Sequence, residues 1–217
     1  MEVERMKIIV FGPTGGTGRQ VVEQALAAGH EVTAVARKPE AVTTKHPNLH
    51  AVQGDVLDPA SLGKVLAGAD VVLSALGSHS GREPTDVYSR GMKNIHDAMN
   101  AAGVSRIVAL SAVPVSKPEE KDFVDRYIAH PLLGLFFKGS YDDLRRMEAD
   151  LRTTSDINWT VLRPPRLTDK PGTGKYRMAV ESQLKGAQDI SRADLAAAML
   201  KVIDDQATFH KVAVVAN

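Results

Sequence analysis

Cysteine is absent from the 217 residues, which excludes disulfides, a thiolate nucleophile and cysteine-ligated zinc or iron–sulfur clusters. An excess of one charge is also missing. Lys and Arg number 27 against 26 Asp and Glu, so no global field draws in nucleic acid, and no block of like charge marks a basic arm or acidic tail. Long hydrophobic runs are lacking: the apolar stretch 8–11 ends at a glycine, too short for the apolar region of a signal peptide, and nothing approaches the length of a transmembrane helix. The expectation is a cytoplasmic protein with neither a nucleic-acid nor a membrane partner. The seven histidines, His30, His46, His50, His79, His96, His130 and His210, show no two-in-one-turn spacing and no partner carboxylate motif, so no metal site is expected. Internal repeats, low-complexity tracts and linkers are not evident, and a composition of 43% hydrophobic and 24% charged residues is that of an ordinary globular chain. Residues 1–217 are therefore read as one domain.

What is present is alternation. Short β-branched runs at 7–11, 31–36, 49–53, 71–75, 107–111, 158–163 and 211–215 read as strands. Between them, segments with apolar residues three and four apart read as helices at 19–28, 59–66, 86–102, 140–153 and 192–204. Gly29 and Gly103 stand just past helix ends, Asp58 and Ser191 stand at N-cap positions, and Pro59 takes a first helical position. The pattern predicts an α/β fold: a doubly wound Rossmann-type parallel sheet with helices on both faces. Residues 113–139 are the least regular, and a loop there would overhang the carboxyl ends of the strands, where such sheets bind ligands.

The strongest chemical signal is the run from Gly12 through Gly15 to Gly18, between the first strand and the first helix. A diphosphate is held by the first backbone N–H groups of a helix, at the positive end of its dipole, only if no side chain blocks the approach. Gly12 is assigned to the tight turn, Gly15 to close passage of the backbone by the phosphates, and Gly18 to packing of helix on strand. The second strand ends Ala36-Arg37-Lys38, nineteen residues beyond Gly18, with no carboxylate to receive ribose hydroxyls. Arg37 can pair with an adenosine 2′-phosphate through two parallel bonds and stack on adenine, which points to NADP(H) rather than NAD. The plain alternative is a solvated basic pair at a strand end.

The residues Val10-Phe11-Gly12-Pro13-Thr14-Gly15-Gly16-Thr17-Gly18 resemble the fingerprint of the atypical short-chain dehydrogenase/reductase families. From about Lys7 onward the chain is similar to the NAD(P)H-binding group that includes biliverdin reductase B (flavin reductase) and the NmrA-like proteins. The resemblance extends through Gly54-Asp55-Val56-Leu57-Asp58, Ala75-Leu76-Gly77, Gly91-Met92-Lys93-Asn94-Ile95, Ser111-Ala112, Trp159 to Pro165, and Ile190 to Ala196. It implies a cofactor site of Gly12, Thr14, Gly15, Gly16, Thr17 and Gly18 with Arg37, Asp55, Val56, Ala75, Leu76, Gly77, Ser111 and Pro164. Within that site Asp55 would lie near the adenine amino group, or else be only a turn residue after Gly54. The nicotinamide ribose would lie near Ala75, Leu76 and Gly77. Ser111 would face the substrate, or else satisfy local backbone at a strand end.

Familiar short-chain dehydrogenases pair a tyrosine with a lysine four residues on, whose ammonium lowers the phenol's pKa. Here Tyr141 is followed at that place by Arg145, which keeps the charge but holds it differently. Tyr141 is one candidate general acid; Tyr127 and Tyr88 are weaker ones. Without a protein acid, the acceptor is a flavin, quinone or conjugated pigment that takes its proton from water. The apolar patch Leu132, Leu133, Leu135, Phe136 and Phe137 either lines a pocket for such a planar acceptor or serves as core or dimer contact, leaving monomer and homodimer open. The leading reading is an NADPH-dependent reductase of planar acceptors, and its rival a non-catalytic NADP(H) sensor of the NmrA-like kind. A nucleotide-sugar epimerase or dehydratase is set aside, because about fifty residues beyond Pro165 leave little room for a substrate lobe.

Overall fold

A computed structural model of the chain describes residues 5–78, 83–115 and 137–217. Its elements are β1 (Lys7–Phe11), α1 (Gly16–Ala27), β2 (Glu31–Ala36), β3 (Leu49–Gln53), β4 (Val71–Ser74), α2 (Ser89–Ala102), β5 (Arg106–Leu110), α3 (Lys138–Thr153), β6 (Asn158–Arg163), β7 (Arg166–Thr168), β8 (Arg177–Val180), β9 (Asp189–Ser191), α4 (Arg192–Lys201) and β10 (Lys211–Ala216). The main sheet runs β3-β2-β1-β4-β5-β6-β10-β8. Its first seven strands are parallel, and β8 pairs antiparallel with β10. Strand order reverses between β1 and β4, and that reversal opens the crevice in which doubly wound sheets take their ligands.

Alternation along β1 shows how one strand serves two cores. Ile9 and Phe11 face one side, packed with Ile95 and Met99 of α2 and Leu144, Met147 and Leu151 of α3. Ile8 and Val10 face the other, with Val21, Val22 and Leu26 of α1 and Leu195 and Met199 of α4. Both faces are therefore covered by helices, and the inner strands are apolar almost throughout.

Several boundaries differ from the sequence reading. Helix α1 begins at Gly16 rather than 19, so the last three fingerprint residues form its first turn. Residues 59–66 are not an α-helix. Asp58 does accept from the Ala60 N–H and Pro59 does open a turn, but the bonds that follow, Leu62 N–H to Pro59 O and Val65 N–H to Leu62 O, span three residues. Gly63 sits in the middle of this stretch, where its backbone freedom disfavours a regular helix. Helix α4 ends at Lys201, and its N-terminus is capped by the Ser191 hydroxyl as expected. Strands β7, β8 and β9 were not read from the sequence. At three or four residues each they are too short for periodicity to register. β7 pairs with β9 in a small separate sheet at the carboxyl side of β6. Tyr127, His79, His130 and the patch residues Leu132, Leu133, Leu135 and Phe136 lie outside the described residues. Among those described, no helix is long and apolar enough to cross a membrane, and no group of histidine and carboxylate side chains could hold a metal ion.

The loop after β7 is tied to α4 by Asp194, which is 1% exposed. Its carboxylate accepts from the Thr173 and Gly174 N–H groups, the Thr173 and Ser191 hydroxyls and the Asn217 amide. Burial by itself would raise the carboxyl pKa, but these bonds outweigh it and bring it down to about 2 from 3.8. A folded-state pKa below the unfolded one stabilises the fold above the unfolded value, and that stability is lost as pH falls through the folded value. Asp194→Asn is expected to lower unfolding free energy by about 2 kcal/mol at pH 7. In urea denaturation, the gap between variant and parent should narrow as pH drops from 4 toward 2.

Candidate functional site

At two positions of the glycine run the backbone packs so closely that no side chain is tolerated. Gly12 has φ +75°, and a Cβ there would lie 2.4 Å from the Ala75 carbonyl oxygen at the end of β4. A Cβ on Gly18 would lie 2.0 Å from the Gly12 carbonyl oxygen. These two glycines let turn, helix and neighbouring strand meet. At Gly15 the nearest atom is an ordinary 3.5 Å away, so this position is open. Gly15 is the N-cap of α1 and supplies no capping side chain, which leaves the first N–H groups of the helix available to an anion. At Gly16 the missing Cβ makes room for the Arg192 side chain, whose Cδ and Nε come within 2.6 Å of where it would stand. Thr14 is exposed and Thr17 buried.

Arg37 leaves the end of β2 exposed to solvent, with no ion pair among the described residues. Asp55 does serve its turn: one carboxylate oxygen accepts from the Leu57 N–H at 2.9 Å, and its own N–H donates to the Ser61 hydroxyl at 2.9 Å. Val56 is fixed against α2, because Asn94 donates to its carbonyl at 2.7 Å and Gly91 leaves space for its side chain. The sequence reading gave Gly91 and Asn94 no role.

At the end of β4 the Ala75 N–H donates to the Phe11 carbonyl at 2.9 Å, and Leu76 and Gly77 follow. The Ser78 N–H donates to the Tyr88 hydroxyl at 2.9 Å, and the phenol also bonds to Ser140. Tyr88 is itself anchored from α3. Asp143, fully buried, accepts from the Tyr88 and Ser89 N–H groups at 2.8 and 3.2 Å and from the Ser89 hydroxyl. A carboxylate at the N-terminus of α2 is favoured by the helix dipole. Tyr88 therefore holds the strand-four loop in place from across the crevice. Nothing in the pattern around it signalled this, since the partners are 10 and 55 residues away.

Ser111 follows β5. Its N–H donates to the Leu162 carbonyl at 2.8 Å, yet its hydroxyl is buried and, among the described residues, is the one buried side-chain polar atom without a hydrogen-bond partner. Leaving such a group unpaired costs about 1–3 kcal/mol, and that penalty disappears if a ligand supplies the partner. Pro164, buried beyond β6, accepts from the Val113 N–H at 3.0 Å and joins the ends of β5 and β6. Beneath it Arg163 pairs with Glu148 of α3, both buried, with its Nε 3.0 Å from Oε1. Tyr141 lies on α3 with its ring 5.9 Å from that of Phe137. Burial, and then the neighbouring Tyr88, push its phenol pKa up against a smaller opposing effect of Arg145. Arg145 is turned to Asp142 at 2.7 Å and to the Pro114 carbonyl. The arginine thus fails to do what a lysine at that place would, and Tyr141 keeps its proton at neutral pH.

An uncapped helix start above a glycine-bounded turn, at the strand-order reversal, has the geometry that suits a dinucleotide. Residues 12–206 match the NAD(P)H-binding family. The chain belongs to that family. An uncharacterized chloroplastic protein of Arabidopsis thaliana is 31% identical over 226 residues, covering 99% of this chain and 78% of its own. The chloroplastic divinyl chlorophyllide a 8-vinyl-reductase of Zea mays is 29% identical across 94% of this chain, which spans only 53% of that enzyme. A crystal structure from Burkholderia pseudomallei superposes with a TM-score of 0.81 at 28% identity, over 98% of this chain and all of that one.

As an NAD(P)H-binding family member and oxidoreductase relative, the protein needs its fingerprint glycines unequally. Gly18→Ala drives a methyl into a backbone carbonyl that cannot yield, whereas Gly16→Ala meets only a flexible arginine. Gly18→Ala is expected to lose dinucleotide binding and at least ~2 kcal/mol of stability, in the range of overpacking penalties. Gly16→Ala should retain both within about a factor of three in affinity. Calorimetric titration with NADP⁺ and thermal melting of the two variants check this.

Proposed function

We propose that the protein is an NADPH-dependent oxidoreductase that passes hydride to a planar acceptor such as a flavin, a quinone or a tetrapyrrole. The observation that carries this reading is the buried, unpartnered Ser111 hydroxyl at the carboxyl end of β5, two strands from the glycine cradle in the sheet. A site that merely held the adenosine half of a dinucleotide would have no use for it. Bound NADPH supplies the hydride. The N–H groups at the start of α1 hold its diphosphate, Arg37 its 2′-phosphate, and the Ala75–Gly77 segment, kept in place through Ser78 and Tyr88, its nicotinamide ribose. Ser111 donates to or accepts from a carbonyl or ring nitrogen of the acceptor and so orients it.

The proton balance favours an acceptor that needs no protein acid. Burial raises the Tyr141 phenol pKa by more than the Arg145 guanidinium, itself bonded to Asp142 and the Pro114 carbonyl, lowers it. A flavin or quinone takes its second proton from water. The maize relative, named as a reductase of a chlorophyllide, lends support to a conjugated planar acceptor. The cysteine-free composition is compatible with the cytoplasm as the working compartment.

Mixing the protein with NADPH and free flavins, quinones and tetrapyrroles and following nicotinamide absorbance tests the reading. Turnover should appear with at least one acceptor class, whereas tight NADPH binding without turnover across all three would favour the redox sensor. Ser111→Ala should lower kcat roughly 10- to 100-fold, the range typical for loss of an orienting hydrogen bond at a reacting group, with the NADPH dissociation constant nearly unchanged. Tyr141→Phe should retain kcat within about threefold, because no proton passes through the phenol. Arg37→Ala should weaken NADPH about tenfold or more while leaving NADH affinity in place, as loss of a charge-assisted bidentate contact requires.

A further inference from the structure

Behind the glycine turn, on the α1 and α4 face of the sheet, lies a cleft of about 370 Å³. Arg19, Lys170 and Arg192 line it, with Gly16 at its floor and Pro171 and Gly172 forming the opposite wall. Its lining contains none of Gly12, Thr14 or Gly15 and none of the Ala75–Gly77 segment. It therefore shares only Gly16 with the dinucleotide cradle, and the Arg192 side chain lies over that glycine.

The cleft is built and not merely left over. Arg192 is half-buried, seated in the space of the missing Gly16 Cβ and paired with Asp169 at 2.7 Å. The far wall is pinned to α4 by the buried Asp194, which binds Thr173 and Gly174, and Gly172 packs against Ala193 so closely that a Cβ would stand 2.9 Å from it. Three cations face one carboxylate, Asp169, across this cleft. Arg19 makes no ion pair among the described residues, and Lys170 has a 3.8 Å contact to Asp189, which is already engaged by Arg166 at 3.0 Å. Positive charge is thus left over at the cleft, and two guanidinium groups offer the planar forks that suit tetrahedral oxyanions.

We propose that this cleft is a second anion site, separate from the dinucleotide cradle, that binds a phosphoryl group. The group is either free inorganic phosphate or the phosphate ester of a small molecule, and it binds while the cofactor is in place.

The test titrates inorganic phosphate, and separately a simple phosphate monoester such as glycerol 3-phosphate, into protein saturated with NADP⁺, whose own binding is measured first. Binding to the NADP⁺-loaded protein, weakened roughly fivefold or more by Arg19→Gln or Lys170→Gln as loss of one contacting cation predicts, supports the site. Lys64→Gln, an exposed lysine outside the cleft lining, should change nothing. A monoester that binds more tightly than phosphate identifies an ester as occupant, and equal affinity identifies the free ion. Phosphate excluded by saturating NADP⁺ would show the cleft to be part of the dinucleotide's diphosphate cradle, and no phosphate binding to the loaded protein, or binding indifferent to both variants, would likewise overturn the proposal. Failure of NADP⁺ itself to bind would instead strike at the cofactor reading, and phosphate binding to the unloaded protein, sensitive to the same two variants, would then still stand for the cleft.

Discussion

The approach of three backbone segments at Gly12 is the constraint on which the site depends. The turn after β1 touches the carbonyl at the end of β4, and the first turn of α1 touches the turn itself, each at a distance that leaves no room for a methyl group. Only this closeness brings the uncapped start of α1 to the place where the strand order reverses. A helix dipole and a set of free N–H groups are common features of any helix. What sets them apart here is that Gly15, the N-cap, carries no side chain and its position stands open.

Two buried carboxylates complete the frame from opposite faces of the sheet. On the α2 and α3 face Asp143 gathers the first N–H groups of α2 and, through Tyr88, fixes the loop that leaves β4. On the α1 and α4 face Asp194 gathers the loop beyond β7 and fixes it to α4. Each carboxylate is surrounded by donors, as a buried charge must be to remain tolerable. The segments so fixed are the loops that leave β4 and β7.

The fold was legible because its signals are local. Parallel strands buried on both faces read as apolar runs, and glycines past helix ends and hydroxyl or carboxylate caps mark boundaries within a few residues. The reading failed where local signals conflict or are too short: Gly63 interrupted an apparent helix, and β7 to β9 carry too few residues to show a period. The glycine turn was likewise visible, since close backbone approach writes itself into the sequence as glycine. At Gly16 the contact with the distant Arg192 was not legible, because such a glycine looks like any other in the fingerprint.

The acceptor half obeys a different logic. On the proposed reading side chains recognise the acceptor, and side chains gain their meaning from partners far along the chain, as Tyr88 does from Ser78 and Asp143. Position at a strand end marked Ser111, but only the three-dimensional arrangement shows its hydroxyl buried and unpaired. The same holds in reverse for Tyr141. Its spacing to Arg145 suggested a modified acid pair, and the structure gives Arg145 hydrogen bonds to Asp142 and Pro114 while burial raises the phenol pKa by more than the arginine lowers it. On the proposed reading, a site with a cofactor cradle, an orienting hydroxyl and no activated acid suits chemistry in which the acceptor's own conjugation stabilises the charge that arrives with the hydride. That is why the absence of a lysine beside Tyr141 narrows the range of acceptors and does not by itself argue against catalysis.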